Sequence, residues 1–532
     1  MKKVLIYLLI LVVGILLGLL IALRSTNSLL GTLYSGISSQ QSGENKITTL
    51  LRNLDRAYVD SIDINKIDEA AVVYALSQLD PHSSYTPKED MELANQGLTG
   101  HFSGIGIQFN IQSDTIYVVD VISGGPSERA GILAGDRIVA VDDTAFVGKK
   151  ISNEKVFSKL RGKKGTTIKL TVVRRGTKEK LHFTMKRDDI PVYTVEASHM
   201  INDHVGYVNI SSFGENTYSE TLTALTKIKR AGATSVIIDL RGNSGGYLDA
   251  AVNILNEFLE KGTLIVYIKG RSYPRSDFKA NGTGSFQDMK VAVLIDEFSG
   301  SASEIFAGAM QDNDRGIIIG RRSFGKGLVQ QPLQFADGSE ARITVARYYT
   351  PSGRCIQKPY VAGDQKDYDS DIWNRYVHGE FFNADSIHQN DTTVYHTAKG
   401  RKVYGGGGIM PDIFIPRDTS GFTPSFNRLV NSNTLYKFAL QYTDAHRKEL
   451  KAYKDWRKLE EHLASSGVVG QMINYAKANK IEVSARDLKV SQSLISQYLY
   501  GYIVRSVTTE DDFYQLLNKY DKTVIRATKE LK

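Results

Sequence analysis

Three serines sit where a hydroxyl could act as a nucleophile. Gly242-Asn243-Ser244-Gly245-Gly246 fits G-x-S-x-G and follows the apolar run Val236 to Leu240, where a sharp strand-to-helix turn would expose the seryl oxygen. Such an elbow needs a downstream acid and a histidine. The histidines after Ser244 are His378, His388, His396, His446 and His462, all in irregular or Lys-rich stretches, which argues against Ser244. Ser323-Phe324-Gly325-Lys326 fits S-x-x-K, a pairing that works when i and i+3 share a helical face. Gly325 and Gly327 flank the lysine and a β-rich run follows, so helix is disfavoured and the match reads as coincidence. Ser301 is better aimed. In Gly300-Ser301-Ala302-Ser303-Glu304-Ile305 it follows the strand Val291 to Ile295 and opens a helix, Ser303 to Gln311. Free N–H groups at the positive end of that helix would stabilise a tetrahedral oxyanion. An ordinary N-cap serine would look the same, and spacing alone leaves the two readings level.

The elements around these serines divide the chain. Residues 42 to 95 read as helical, with Ile47, Leu50, Leu51, Leu54, Ala70, Val73, Leu76 and Leu79 as apolar positions, ending at Asp80-Pro81. From about Leu98 the period changes to β. Ile105 to Phe109, Thr115 to Val121, Arg137 to Val141 and Thr167 to Val173 form a compact domain of about ninety residues with one helix, Glu154 to Leu160. After Arg187, strands such as Val205 to Ile210, Ser235 to Leu240 and Val291 to Ile295 alternate with helices, which predicts an α/β layer architecture. A hairpin, Leu328 to Phe335 against Ala341 to Tyr349, turns at Asp337-Gly338. Residues 360 to 400 are polar and irregular, and the Lys-rich helical stretch after Pro416 reads as a solvated appendage. The expected divisions are 1–24, 25–95, 96–187, 188–415 and 416–532.

At 532 residues the chain is long enough for three to four domains. Its 42% apolar and 23% charged content excludes wholesale disorder, and a net charge of +8 does not call for nucleic acid. One cysteine, Cys355, rules out an internal disulfide and any Cys-clustered metal site. Lys2 and Lys3 precede an unbroken apolar run from Val4 to Leu23, about 30 Å of helix and enough to cross a bilayer. No good cleavage site follows, so an uncleaved anchor is expected, with the amino end inside and everything after residue 24 outside the cytoplasm, in a periplasm or on an outer surface.

Resemblance separates the serines. Gly300-Ser301-Ala302-Ser303-Glu304-Ile305-Phe306-Ala307-Gly308-Ala309, followed by Ser323-Phe324-Gly325-Lys326-Gly327-Leu328-Val329-Gln330, resembles the paired signature of the C-terminal processing peptidases, or tail-specific proteases. Asp239-Leu240-Arg241-Gly242-Asn243-Ser244-Gly245-Gly246 is similar to that family's D-L-R-x-N-x-G-G loop, with Ser244 where proline is common. Asp80-Pro81-His82-Ser83-Ser84-Tyr85 resembles a segment ahead of its PDZ domain. The likeness covers about residues 45 to 415.

The resemblance implies a multidomain α/β protein: a crotonase/Clp-protease-like catalytic core, a PDZ domain, an N-terminal transmembrane helix and a helical C-terminal appendage. It makes Ser301 the nucleophile, Lys326 its general base and Gln330 the residue that orients the dyad. The N–H groups of Ala302 and Gly245, with Gly246 as an alternative, would form the oxyanion hole. A lysine can take the seryl proton only when neutral, which burial favours. Gly104-Ile105-Gly106-Ile107 resembles a PDZ carboxylate-binding loop, where a protein's free C-terminal tail would add a strand. Gly131 to Asp136 and Leu160 to Gly165 recur in such modules, and Arg161 is a candidate sensor of the bound tail. No metal or organic cofactor is implied. The expected partners are protein or peptide tails and, through residues 4–23, a membrane, and the helical tail leaves room for a homodimer. The rival readings are a PDZ scaffold that binds tails without cutting and a Ser244 hydrolase of small esters.

Overall fold

Apolar residues in the strands around Ser301 alternate between two buried faces. Val236 and Ile238 point to one core, Ile237 to another; Val291, Val293 and Ile295 alternate with Ala292 and Leu294 in the same way. Strands buried on both sides read as near-continuous apolar runs and need a covering layer on each face. The computed structural model, which describes residues 45–112, 114–148, 151–388 and 392–532, supplies both layers.

The central sheet runs Val195–Met200, Val205–Ile210, Ser235–Asp239, Lys290–Ile295, Ile317–Gly320, Ile413–Phe414. Its first pair is antiparallel and the rest are parallel. On one face lie the helices Thr217–Arg230, Leu248–Asn256 and Ala302–Asp312, whose Leu225, Ile254 and Phe306 meet Val208, Ile238 and Val293. The other face, built from Tyr207, Ile237, Ala292, Leu294 and Ile319, is covered by Val524, Ala527 and Leu531 at the end of the chain. The segment after Pro416 therefore departs from the solvated appendage expected of it. Helices between Pro424 and Val507 share their own core, including Phe426, Leu459, Met472 and Leu499. The last helix, Lys522–Glu530, completes the α/β layers.

A second, antiparallel sheet stands beside this core. Its long strand Glu340–Tyr349 pairs with Leu328–Gln334 through the expected turn, where Gly338 has φ +95° and Asp337 accepts from the Ser339 N–H at 2.9 Å. Glu340–Tyr349 also pairs with Ser84–Thr86. The helix Ile64–Ser77 stops just ahead of Asp80-Pro81, as expected, but the segment then enters this sheet as the strand Ser84–Thr86 before the helix Met91–Thr99 follows.

The small β domain is a sheet in the order Ile107–Gln112, Thr115–Val121, Arg137–Val141, Thr167–Val173, Leu181–Lys186. It closes over Ile116, Ile138, Val156, Ile168 and Val172, with Val156 coming from the helix Asn153–Leu160. Ile107–Gln112 is an edge strand. Among the described residues, 45–76 form a separate unit, with the helix Lys46–Ala57 and all of Ile64–Ser77 but its last residue. Among the described residues no helix is long and apolar enough to cross a membrane. The expected anchor, residues 4–23, lies outside the described residues.

Candidate active site

Ser301 ends the turn between the strand Lys290–Ile295 and the helix Ala302–Asp312. Its backbone has φ +53° and ψ −114°, a conformation that is costly for a residue with a side chain and persists only where the surroundings enforce it. Glu304, one helical turn on, does much of the enforcing. Its carboxylate accepts from the Ser301 N–H at 2.9 Å, the Lys326 N–H at 2.8 Å, the Gly325 N–H at 2.7 Å and Ser323 Oγ at 2.5 Å. Burial pushes its carboxyl up to about 7, although these four donors favour the charged form. One side chain thus ties the Ser301 loop to the Lys326 loop. Tyr348 does so from the other side, its Oη donating to the carbonyl of Ser301 at 3.1 Å and to that of Lys326.

The loop 242–246 comes next to Ser301 because Asn243, fully buried, stitches it down. Its Nδ2 donates to the Ile210 carbonyl at 2.8 Å, and its own carbonyl accepts from the Gly300 N–H at 3.0 Å and Ser303 Oγ at 2.8 Å. Gly245 has φ +110°, and a Cβ there would lie 2.6 Å from Ser301 Cβ and 3.0 Å from the Ala302 nitrogen. Only glycine allows that approach. The Gly245 N–H, expected to face an oxyanion, instead donates to Asn243 Oδ1 at 2.8 Å. Ser244 is exposed, and among the described residues no histidine hydrogen-bonds to it. Ser323 is fully buried between Glu304 and the Ile409 N–H, which leaves its hydroxyl no access to substrate.

Lys326 is half-buried and its Nζ donates to Gln330 Oε1 at 3.0 Å rather than to Ser301. Burial, helped by the charge of Arg342, lowers its pKa below the usual lysine range, while Glu304 and Asp80 oppose the shift. Gln330 is oriented in turn by the His82 carbonyl, which accepts from its Nε2. Asp80 holds that turn in place. Its carboxylate accepts from the His82 N–H at 3.0 Å, the Ser83 N–H at 3.1 Å, Ser83 Oγ at 2.6 Å and Thr344 Oγ1 at 2.8 Å. The His82 ring hydrogen-bonds Tyr368 Oη at 2.8 Å, and burial followed by the Lys326 charge lowers its pKa to about 4. Asp80, His82, Glu304 and Tyr348 were not singled out from the sequence for any role at this site. Glu304 carries a local signal, the S-x-x-E spacing of a capping box from Ser301, and Asp80 and His82 lie in the Asp80-to-Tyr85 segment noted for its resemblance; Tyr348 carries none.

In the small β domain, Gly106 takes φ +75°, Ile105 is buried, and their carbonyls accept from the N–H groups of Ile122 at 3.0 Å and Ser127 at 2.9 Å. The turn from Gly104 delivers Ile107 to the open edge of the sheet. Phe109 and Phe157 meet edge to face at 5.3 Å across the strand and helix, and the Arg161 guanidinium lies 4.4 Å from the Phe157 ring and 4.9 Å from that of Phe102. Among the described residues no group of three or more His, Cys, Asp or Glu side chains is gathered to hold a metal ion.

Residues 204–367 match Peptidase family S41, residues 103–196 match the PDZ domain, and residues 425–509 match a family of unknown function, DUF8443. The carboxy-terminal processing protease CtpB of Bacillus subtilis strain 168 is 34% identical over 338 residues, 62% of this chain and 70% of that protein. The chain belongs to the carboxy-terminal processing serine proteases. A probable CtpA-like serine protease of Staphylococcus haemolyticus is 35% identical over 335 residues, 62% of this chain, and the match spans 66% of that relative's length. Among solved structures, the photosystem II D1 C-terminal processing protease is 25% identical with a TM-score of 0.36, covering 69% of this chain and 91% of that one. The S41 and PDZ matches account for the protease core and the small β domain, and residues 425–509 of the helical region match only a family of unknown function.

Proposed function

We propose that this chain is a serine endopeptidase that binds the free C-terminal tail of a protein along the edge strand Ile107–Gln112 and cuts through an acyl-enzyme on Ser301. The observation that carries this reading is the joint tie of the Ser301 and Lys326 backbones to the Glu304 carboxylate, beside a glycine that only close approach requires. In the reaction, Lys326 Nζ turns from Gln330 to Ser301 and takes the hydroxyl proton as Oγ attacks the scissile carbonyl carbon. The Ala302 N–H, at the positive end of the helix Ala302–Asp312, and an N–H of the Gly245-Gly246 turn hold the oxyanion. Gly245 must exchange Asn243 Oδ1 for the oxyanion to serve as that donor, and Gly246 is the alternative. Collapse expels the amine with the proton from Lys326; a water then attacks the acyl carbon, giving its proton to Lys326, which returns it to Ser301 Oγ as the carboxylate product leaves. The core is read as crotonase/Clp-protease-like. Residues 4–23 are read as a membrane anchor that keeps the protease outside the cytoplasm, supported by their unbroken apolar run.

The test is cleavage of an unstructured protein ending in a free apolar tail. Ser301→Ala and Lys326→Ala are expected to lower kcat by about 10³-fold or more while the tail still binds, and Ser244→Ala to stay within a few-fold of wild type. Wild-type protein that binds tails without cutting them would establish the scaffold reading instead.

A further inference from the structure

The family match leaves the C-terminal helices without a task, yet one of their side chains reaches the D-L-R loop. Asp239, at the end of the strand Ser235–Asp239, is 2% exposed and needs partners for its charge. It accepts from Tyr207 Oη at 2.8 Å and from the Arg241 backbone N–H at 3.0 Å. The Arg241 guanidinium adds Nε at 2.9 Å and Nη2 at 2.5 Å. The remaining arm of the guanidinium, Nη1, donates to Asp521 Oδ2 at 2.7 Å. Asp521 is the N-cap of the terminal helix, its Oδ1 accepting from the Thr523 and Val524 N–H groups at 2.7 and 3.2 Å. A planar guanidinium held on two sides by carboxylates has little freedom to turn. Arg241 is followed directly by Gly242, with φ +72° and its N–H on Asp296 Oδ1 at 2.9 Å, and then by the turn that sets Gly245 against Ser301.

We propose that Asp521 is a positioning residue for acyl transfer: through Arg241 it fixes the departure of the 242–246 loop, and so the oxyanion donors, against Ser301. The inference rests on the peptidase reading above. It gives the end of the helical region a part in the chemistry that the S41 core alone does not contain. Misplacing an oxyanion donor costs rate in the tetrahedral state and little in the ground state.

The test uses the full chain carrying Asp521→Asn, which keeps the cap and the shape but loses the charge. The expected result is a kcat lower by about tenfold with KM within about twofold. Inhibition by a peptide aldehyde, whose adduct with Ser301 places an oxyanion in the same hole, should weaken in proportion, while binding of a tail peptide stays unchanged. Asp521→Ser, another capping residue, repeats the measurement. Lys522→Ala, which breaks only the 2.8 Å pair with Asp418 at the same helix end, should leave kcat unchanged. The proposal is overturned if Asp521→Asn lowers the melting temperature with kcat intact, if kcat falls without loss of aldehyde inhibition, or if neither Asp521 variant folds. Wild-type protein that does not cut, or Ser301→Ala that cuts as well as wild type, would refute the peptidase reading and take this inference with it.

Discussion

A lysine that accepts a proton must first lose one, and the surroundings of Lys326 set the pH at which it does. Burial is the main cause of its lowered pKa. Between that lowered value and the ordinary 10.5, the unfolded chain binds a proton that the folded chain does not, so unfolding free energy rises with pH across this window. Activity should rise in the same window: kcat/KM is expected to climb with pH on a limb whose apparent pKa lies below 10.5. A steady-state pH profile checks this. A limb near 7 would instead implicate the Glu304 carboxyl, which burial pushes up to about 7, and not His82, whose pKa of about 4 keeps it neutral at such pH. The sequence showed Ser301 and Lys326 only as motifs, 25 residues apart. What joins them, the Glu304 carboxylate and the Tyr348 hydroxyl, was half visible: the S-x-x-E spacing is local, whereas Tyr348 comes from a strand whose register only the folded sheet fixes.

Among the elements, the strand-loop-helix turns around the site impose backbone shapes that side chains would spoil. Gly245 is the sharpest case. Its φ of +110° is already strained for any other residue, and an added methyl would sit 2.6 Å from Ser301 Cβ and 2.8 Å from the Gly300 carbonyl oxygen. Both neighbours are anchored, Gly300 by Asn243 and Ser301 by Glu304, so neither can give way cheaply. Gly245→Ala is expected to lower kcat/KM by about 100-fold or more, through displacement of Ser301. Steady-state kinetics together with a near-native circular dichroism spectrum would check it; full activity would mean that the loop relaxes freely. The glycine pattern of this loop was legible because a close approach needs glycine at fixed offsets. The strand Ser84–Thr86 was not. At three residues it has no period of its own, and the partner that makes it a strand lies some 250 residues away in Glu340–Tyr349.

Over the whole molecule, the least expected feature is that the end of the chain completes the catalytic core. The terminal helix offers the sheet only Val524, Ala527 and Leu531, set among lysines and arginine, and so few apolar positions in a basic stretch read as a solvated face. Their spacing, i, i+3 and i+7, does mark one helical stripe; the sequence could not say what that stripe meets. The strands supplied the missing half, because Ile237, Ala292, Leu294 and Ile319 form a second apolar face that no helix between them in sequence covers. A sheet buried on one side only would leave these residues and Tyr207 in water, so the two deficits answer each other. The consequence is sharp at Ala527, which is fully buried there. Ala527→Asp would put an unpaired carboxylate against the sheet at a cost of about 3–5 kcal/mol, enough to threaten the protease core. The expected outcome is loss of soluble protein, or an unfolding transition at markedly lower denaturant for the protease core, while the small β domain, which has its own core around Ile116 and Ile168, keeps its fold. Chemical denaturation followed at both domains distinguishes this from a surface helix, for which the same substitution would change stability by less than about 0.5 kcal/mol.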